Sequence, residues 1–103
     1  MPKQSFALAL ELAQSVQKLP SDNLAGITGT TNRGTVLQQL QKAAADVVYA
    51  LRSGDSLAHT NEKVRLLEEG VGTASIVGVI STPLRDEYYR LIDEIVSAMD
   101  VEE

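Results

Sequence analysis

The sequence contains no cysteine, no tryptophan and only four aromatic residues among its 103: Phe6, Tyr49, Tyr88 and Tyr89. The absence of cysteine excludes a disulfide framework, thiol catalysis and a cysteine metal site. With so few aromatic side chains, the hydrophobic core has to be built from Leu, Val, Ile and Ala, which suits closely packed helices. At this length we expect one domain with a single modest core.

Long apolar runs and clusters of positive charge are also missing. No apolar stretch approaches the roughly 20 residues that span a bilayer. The N-terminal stretch is interrupted by Glu11 and is followed by no A-x-A cleavage site, so we interpret it as a helix and not as a signal peptide. The net charge is −5 and the nine basic residues are scattered, which argues against nucleic-acid binding. We therefore expect a cytoplasmic protein without a membrane contact.

The sequence does contain a set of amphipathic helical patterns. Apolar residues at three- and four-residue spacing predict a first helix over 4–18. The second helix is predicted to start at Thr35, where Thr35 and Gln38 form a capping box, and to end at Gly54. Between these helices, segment 21–34 is rich in Gly and Thr and predicts a long loop.

Two further helices are predicted in the second half of the chain. The third begins between Asp55 and Asn61 and runs to about Ile80. The fourth begins at Thr82-Pro83, because proline is favoured at the first helical position. Together the four patterns predict an all-α protein, an up-down antiparallel four-helix bundle with a long Gly/Thr-rich loop between helices 1 and 2.

Three glycines interrupt the third helical pattern, at positions 70, 72 and 78. Each costs about 1 kcal/mol relative to alanine inside a helix, so the pattern indicates either a closely packed neighbour or a break near Gly70. The β-branched residues of 75–81 leave a strand as the alternative there. We favour the helix because no partner strand is evident elsewhere in the sequence.

The middle of the chain carries a resemblance to a known family. Ten positions share its residue types: Gln39, Leu40, Lys42, Ala43, Ala44, Gly54, Glu62, Leu67, Gly72 and Thr73. In these positions the chain resembles the four-helix-bundle family encoded in bacterial ribosomal-RNA intervening sequences. It departs from the family pattern in the turn 51–54, which lacks an acidic residue, and at Ile76, which stands where the family has glutamate.

The resemblance implies a bundle that assembles into homo-oligomers. Family members that act as accessory proteins of diversity-generating retroelements are barrel-shaped homopentamers that bind a reverse transcriptase and nucleic acid. Those members are basic, whereas this chain is acidic. Oligomerisation therefore carries over from the resemblance more readily than nucleic-acid binding.

One loop is a candidate for anion or nucleotide binding. Segment Gly29–Thr35 leads into a helix, and backbone amides at a helix N-terminus attract anions, with Arg33 as a supporting cation. The segment lacks the Gly-Lys pair of a phosphate-binding loop, and no apolar strand precedes it. We favour an ordinary capped loop.

The titratable residues form no recognisable catalytic set. His59 is the only histidine, and the sequence offers no second ligand pair with which it would complete a metal site. The acidic pairs Glu68-Glu69 and Asp93-Glu94 are interpreted as solvated charges. We therefore expect no metal, no cofactor and no enzymatic activity.

The predicted function is a scaffold that acts through protein–protein contacts, as a homo-oligomer. The second helix has apolar residues in neighbouring pairs, 43/44, 47/48 and 50/51, which is broader than one bundle seam requires. Contiguous apolar surface of this kind usually marks an interface. Candidate interface residues are Val48, Leu51 and Tyr89.

The alternative function is that of a nucleic-acid-associated accessory protein. It requires that Arg33, Lys42 and Arg52 converge on one surface with Lys63 and Arg65, because phosphate binding needs clustered positive charge. Arg33, Lys42 and Arg52 are the candidate contacts for an anion or a nucleic acid.

Overall fold

The described part of the chain is entirely helical apart from its turns. The computed structural model describes residues 3–19 and 31–102, with side chains from residue 34 onward in the second range. These residues form four helices: α1 (Gln4–Gln17), α2 (Thr31–Ser53), α3 (Leu57–Ile76) and α4 (Thr82–Glu102). No strand occurs within the described ranges. The prediction of an all-α protein with four helices is confirmed, whereas most of the Gly/Thr-rich segment 21–34 lies outside the described residues.

The helices pack in a closed ring. Within the described residues, α1 packs beside α2 and α4, and α3 packs beside α2 and α4, while the diagonal pairs have no Cα atoms within 8 Å of each other. Hydrogen bonds join Ser5 to Glu102 and Ser15 to Tyr88, so α1 and α4 run in opposite directions. Each helix therefore buries one stripe against two neighbours, as expected for a bundle.

The core is aliphatic with a single aromatic ring. Tyr88 is the largest fully buried side chain. Around it, every helix contributes buried residues at three- and four-residue spacing: Leu12 and Val16 from α1, Leu40 and Ala44 from α2, Leu67 and Val71 from α3, and Ile92 and Ile95 from α4.

The turn between α2 and α3 is closed as predicted. Gly54 has φ +71°, a left-handed conformation in which glycine carries no steric penalty. The Asp55 N–H donates to the Ala50 carbonyl at 3.1 Å, which is the hydrogen bond of a Schellman motif. Ser56 then caps α3, since its hydroxyl accepts the His59 N–H at 3.2 Å.

The predicted end of the third helix is wrong. α3 ends at Ile76 and not near Ile80, because Gly78 takes φ +81°. The N–H groups of Gly78 and Val79 donate to the carbonyls of Ser75 and Ala74, at 3.2 and 2.8 Å, which completes a second Schellman motif. Segment 75–81 forms the end of a helix and a turn, so the strand alternative is also wrong.

The glycines inside α3 do not break it. The helix is continuous through Gly70 and Gly72. An added Cβ at Gly72 would lie 3.0 Å from the Tyr89 hydroxyl oxygen, so this glycine allows a close approach of α4. At Gly70 the nearest atom would be Leu40 Cδ1 at 3.5 Å, an ordinary contact.

Two predicted helix starts are also corrected. α2 begins at Thr31, so Thr35 lies inside the helix and the Thr35–Gln38 capping box is not its N-terminus. A single glycine costs only about 1 kcal/mol in a helix, and Gly34 does not end this one. At α4 the cap is Ser81, whose hydroxyl accepts the Leu84 N–H at 3.3 Å, so Thr82 is the first helical residue.

None of the four described helices combines the length and the apolar character needed to cross a membrane.

Candidate interaction groove between the first two helices

An open groove of about 650 Å³ lies on the outer side of α1 and α2, and it is called here the α1–α2 groove. Its apolar floor is formed by Leu10 and Ala13 from α1 and by Val48 from α2. Its other lining residues are Gln14, Gln17, Lys18, Ala45, Tyr49 and Arg52. The groove is therefore apolar along its base and carries two positive charges.

Helical spacing explains why these residues share one surface. On α1 the lining residues are at 10, 13, 14 and 17, and on α2 they are at 45, 48, 49 and 52. Residues three and four apart lie on one side of a helix, so each set forms one edge of the groove. The floor belongs to the bundle core, since Val48 is only 8% exposed.

Tyr49 is an exposed aromatic residue at the groove. Its side chain is 67% exposed although tyrosine carries a large apolar ring. Exposed tyrosine is enriched at protein interfaces because its stiff ring buries much area at little entropic cost. Sequence analysis missed it, although its place beside Val48 and outside the buried stripe could have shown it.

The three predicted interface residues lie on different surfaces. Val48 lines the α1–α2 groove. Leu51 faces a separate cavity of about 180 Å³ near the start of α3 and the end of α4. Tyr89 is half-buried, with its hydroxyl beside Gly72 of α3. The structure therefore brings only Val48 to the groove, together with Tyr49.

The broad apolar face of α2 is largely covered within the chain. Ala44, Val47, Val48 and Ala50 are buried, and Ala43 and Leu51 are half-buried. The physical reason is that α2 has a neighbouring helix on each flank, α1 on one side and α3 on the other. The apolar pairs are therefore mostly core, and the exposed apolar surface of this helix lies at Tyr49 instead.

The predicted basic contacts are dispersed. Lys42 and Lys63 line a cavity of about 350 Å³ between α2 and α3, where Asp46 and Glu69 also lie. Arg52 is in the α1–α2 groove. For the anion site at Gly29–Thr35, the part from Thr31 onward is helix, while positions 29 and 30 and the side chain of Arg33 lie outside the described residues.

Arginine side chains on the outer faces of α3 and α4 form ion pairs with neighbouring carboxylates. Arg65 pairs with Glu62 at 2.5 Å and Glu69 at 3.2 Å, and Arg90 pairs with Glu87 and Glu94. The guanidinium of Arg65 lowers the pKa of Glu62 below its usual range through a hydrogen bond and its charge. Each cluster contains one arginine and two carboxylates, so it keeps one net negative charge.

The remaining titratable side chains converge on no metal site within the described residues. His59 Nε2 lies 3.7 Å from Asp55 Oδ2 on the surface at the start of α3. Glu68, Glu69, Asp93 and Glu94 are all exposed, as the sequence predicted.

Two polar contacts connect α1 with α4. Glu102 accepts the Ser5 N–H at 3.1 Å and the Ser5 hydroxyl at 2.7 Å, so a carboxylate from the end of α4 caps the start of α1. Near the other end, the hydroxyls of Ser15 and Tyr88 lie 3.0 Å apart. Burial raises the pKa of Tyr88 above its ordinary value, and the Ser15 hydrogen bond opposes this only in part.

No protein-family model, curated protein or solved structure matches this chain. Membership of the ribosomal-RNA intervening-sequence family stays a prediction from its residue pattern.

Proposed function

We propose that this chain is a non-enzymatic, cytoplasmic scaffold that acts through protein–protein contacts and associates with itself through the α1–α2 groove. The observation that supports this most is Tyr49, which is 67% exposed at the edge of a groove with an apolar floor. An aromatic anchor beside an apolar cleft is the usual centre of a protein interface. The family resemblance, which implies a bacterial homo-oligomer, supports the same function.

The proposal includes an up-down order for the four helices. The connections 54–56 and 77–81 are three and five residues long. Connections this short join antiparallel neighbours in helix bundles. α1 and α4 are antiparallel as well. In the closed ring of contacts, α1 and α2 are then also antiparallel, so the helix direction alternates around the bundle.

The experiment measures molecular mass by sedimentation and light scattering over a range of protein concentrations. It compares the wild-type chain with two variants, each of which replaces one exposed apolar residue. The wild-type chain should exceed its monomer mass of 11.1 kDa at micromolar concentration. Tyr49→Ser should weaken the association, because it removes the aromatic anchor from the groove. Ile76→Ser, at a residue 87% exposed but outside the groove, should leave it unchanged. A strictly monomeric wild-type chain would overturn the proposal.

A second candidate function, nucleic-acid association, has one supporting observation: Lys42 and Lys63 line the same cavity. Asp46 and Glu69 in that cavity oppose phosphate binding, and Arg52 lies on a different surface. Salt-dependent binding to RNA at low ionic strength, lost in Lys42→Glu/Lys63→Glu, would favour this function. No binding at low salt would eliminate it.

A further inference from the structure

The charges of the α1–α2 groove have no partner in the part of the chain that the structure describes. Lys18 and Arg52 are exposed and form no ion pair with any described residue. Among the described residues that line the groove there is no Asp or Glu. An acidic occupant would therefore meet attraction from both charges and repulsion from none of the lining residues.

The outer face of α4 has the complementary pattern. Asp93, Ser97, Asp100 and Val101 are exposed, and their spacing places them on one side of the helix. Val101 is 86% exposed, so the face carries an apolar side chain among its acids. This set is called here the α4 acidic face.

The two aspartates of this face are the acids of α4 that remain available for a partner. Glu87 and Glu94 are held by Arg90, and Asp86 is held by Arg85 at 3.0 Å. Asp93 and Asp100 form no ion pair within 3–19 and 31–102. Neither aspartate is therefore ion-paired within the described bundle; Arg90 lines the same cavity as Asp93 but is already paired with Glu87 and Glu94.

The lengths of the two surfaces agree. Asp93 and Asp100 are seven residues apart, which is roughly 10 Å along a helix axis. Lys18 and Arg52 each lie at the C-terminal end of their helix, and in the proposed up-down order these ends point in opposite directions. The positive charges then stand at opposite ends of a groove whose α1 edge, from Leu10 to Lys18, is roughly 12 Å long.

The α4 acidic face and the groove of one molecule do not meet. Among the described residues, no Cα atom of α4 comes within 8 Å of a Cα atom of α2, and α2 supplies one edge of the groove. The α4 acidic face instead borders a cavity with Gln4, at the opposite end of α1 from Lys18. A contact between the two surfaces therefore requires two molecules.

We propose that the occupant of the α1–α2 groove is the α4 acidic face of a second copy, so that the copies join head to tail. This inference rests on the proposed self-association and adds which surface meets the groove. Lys18 and Arg52 face Asp93 and Asp100 of the next molecule, and Val101 packs towards Tyr49 and the apolar floor. A helix lying in an apolar groove is a common mode of recognition. Because the two surfaces differ, a joined pair still has one free groove and one free α4 acidic face, and assembly continues into a ring or an open chain.

The test is a charge exchange between the two surfaces in the full chain. Lys18→Glu/Arg52→Glu makes the groove acidic, and Asp93→Lys/Asp100→Lys makes the α4 face basic. Each variant alone should associate roughly tenfold or more weakly than wild type, because attraction between exposed charges becomes repulsion. An equimolar mixture of the two should regain association, and so should one chain carrying all four changes.

Controls separate this inference from the proposed function. Glu62→Lys/Glu68→Lys changes the net charge as much as the α4 variant, but both residues are exposed on α3, which lines neither surface, and this variant should associate like wild type. Circular dichroism should show that every variant is folded, since all the replaced side chains are exposed.

If wild type associates and Tyr49→Ser prevents it, but the mixture of the two charge variants does not regain association, the head-to-tail contact is wrong while the groove function stands. If Asp93→Lys/Asp100→Lys associates normally, the groove binds another surface, such as a second groove. A monomeric wild type overturns both proposals.

Discussion

At the scale of single residues, the glycines at 70 and 72 face different neighbours. We expect Gly70→Ala to raise the free energy of unfolding by up to about 1 kcal/mol, because alanine favours helix and its Cβ would meet Leu40 only at 3.5 Å. Gly72→Ala should gain less or lose stability, because its Cβ would lie 3.0 Å from the Tyr89 hydroxyl oxygen. Denaturant unfolding measures both changes.

A second background tests the cause of that difference. Tyr89→Phe removes the hydroxyl oxygen that Gly72 accommodates. In this background Gly72→Ala should approach the gain of Gly70→Ala. Equal gains for both alanine variants in the wild-type background would show that the contact between Gly72 and Tyr89 does not limit stability.

Tyr88 makes the fold sensitive to alkaline pH. Its pKa is raised by burial, so in the folded state the phenol stays neutral at a pH where the unfolded chain has lost this proton. The contribution to stability is fully present below the ordinary tyrosine pKa of about 10 and is lost as pH rises through the higher folded-state value. Denaturant midpoints from pH 8 to 11 should fall at the alkaline end, and Tyr88→Phe should flatten that fall. An unchanged fall in the variant would contradict the assignment.

At the scale of secondary-structure elements, Ser81 determines where α4 begins. Ser81→Ala should lower the free energy of unfolding by about 1 kcal/mol, because the Leu84 N–H loses its acceptor. Thr82→Ala, one residue later and exposed, should be close to neutral. Thermal or denaturant unfolding of the pair checks this, and the reverse order of effects would return the cap to Thr82.

At the scale of the whole molecule, the contact between Ser5 and Glu102 closes the ring of helices. Glu102→Ala should cost about 1 kcal/mol or more, because two donors at the start of α1 lose a charged acceptor. Ser5→Ala should cost less, since the backbone N–H keeps its bond. Glu68→Ala, exposed and without an ion pair to any described residue, is the matched control. Equal stabilities for Glu102→Ala and Glu68→Ala would show that the contact contributes nothing.

The number of helices could be predicted because it follows from the periodicity of apolar residues. The Gly54 turn could be predicted because glycine favours the left-handed conformation that ends many helices. Sequence analysis misplaced the start of α2 and the end of α3, because Gly34 and Gly78 look alike in sequence while only Gly78 adopts positive φ. Where a helix ends depends on which of its last carbonyl groups accept hydrogen bonds from the following turn. The pattern of apolar residues does not contain this information.

The candidate site was harder to predict for a different reason. Periodicity indicates which face of α2 is apolar, but not that α1 and α3 cover both flanks of that face. Val48 and Arg52 were therefore singled out, while Tyr49 between them was missed. Leu51 and Tyr89 were assigned to the same interface although the structure separates them.

The hydrogen bonds between Ser5 and Glu102 also determine how the two ends of the described chain could be connected. Because the first and last described turns touch, any polypeptide attached before residue 3 and any attached after residue 102 would emerge from the same end of the bundle. The same proximity permits circular permutation: a short flexible linker can join these ends while new termini are opened in the exposed turn 54–56. Such a permutant would keep all four helices and leave the α1–α2 groove, with both of its edges, intact.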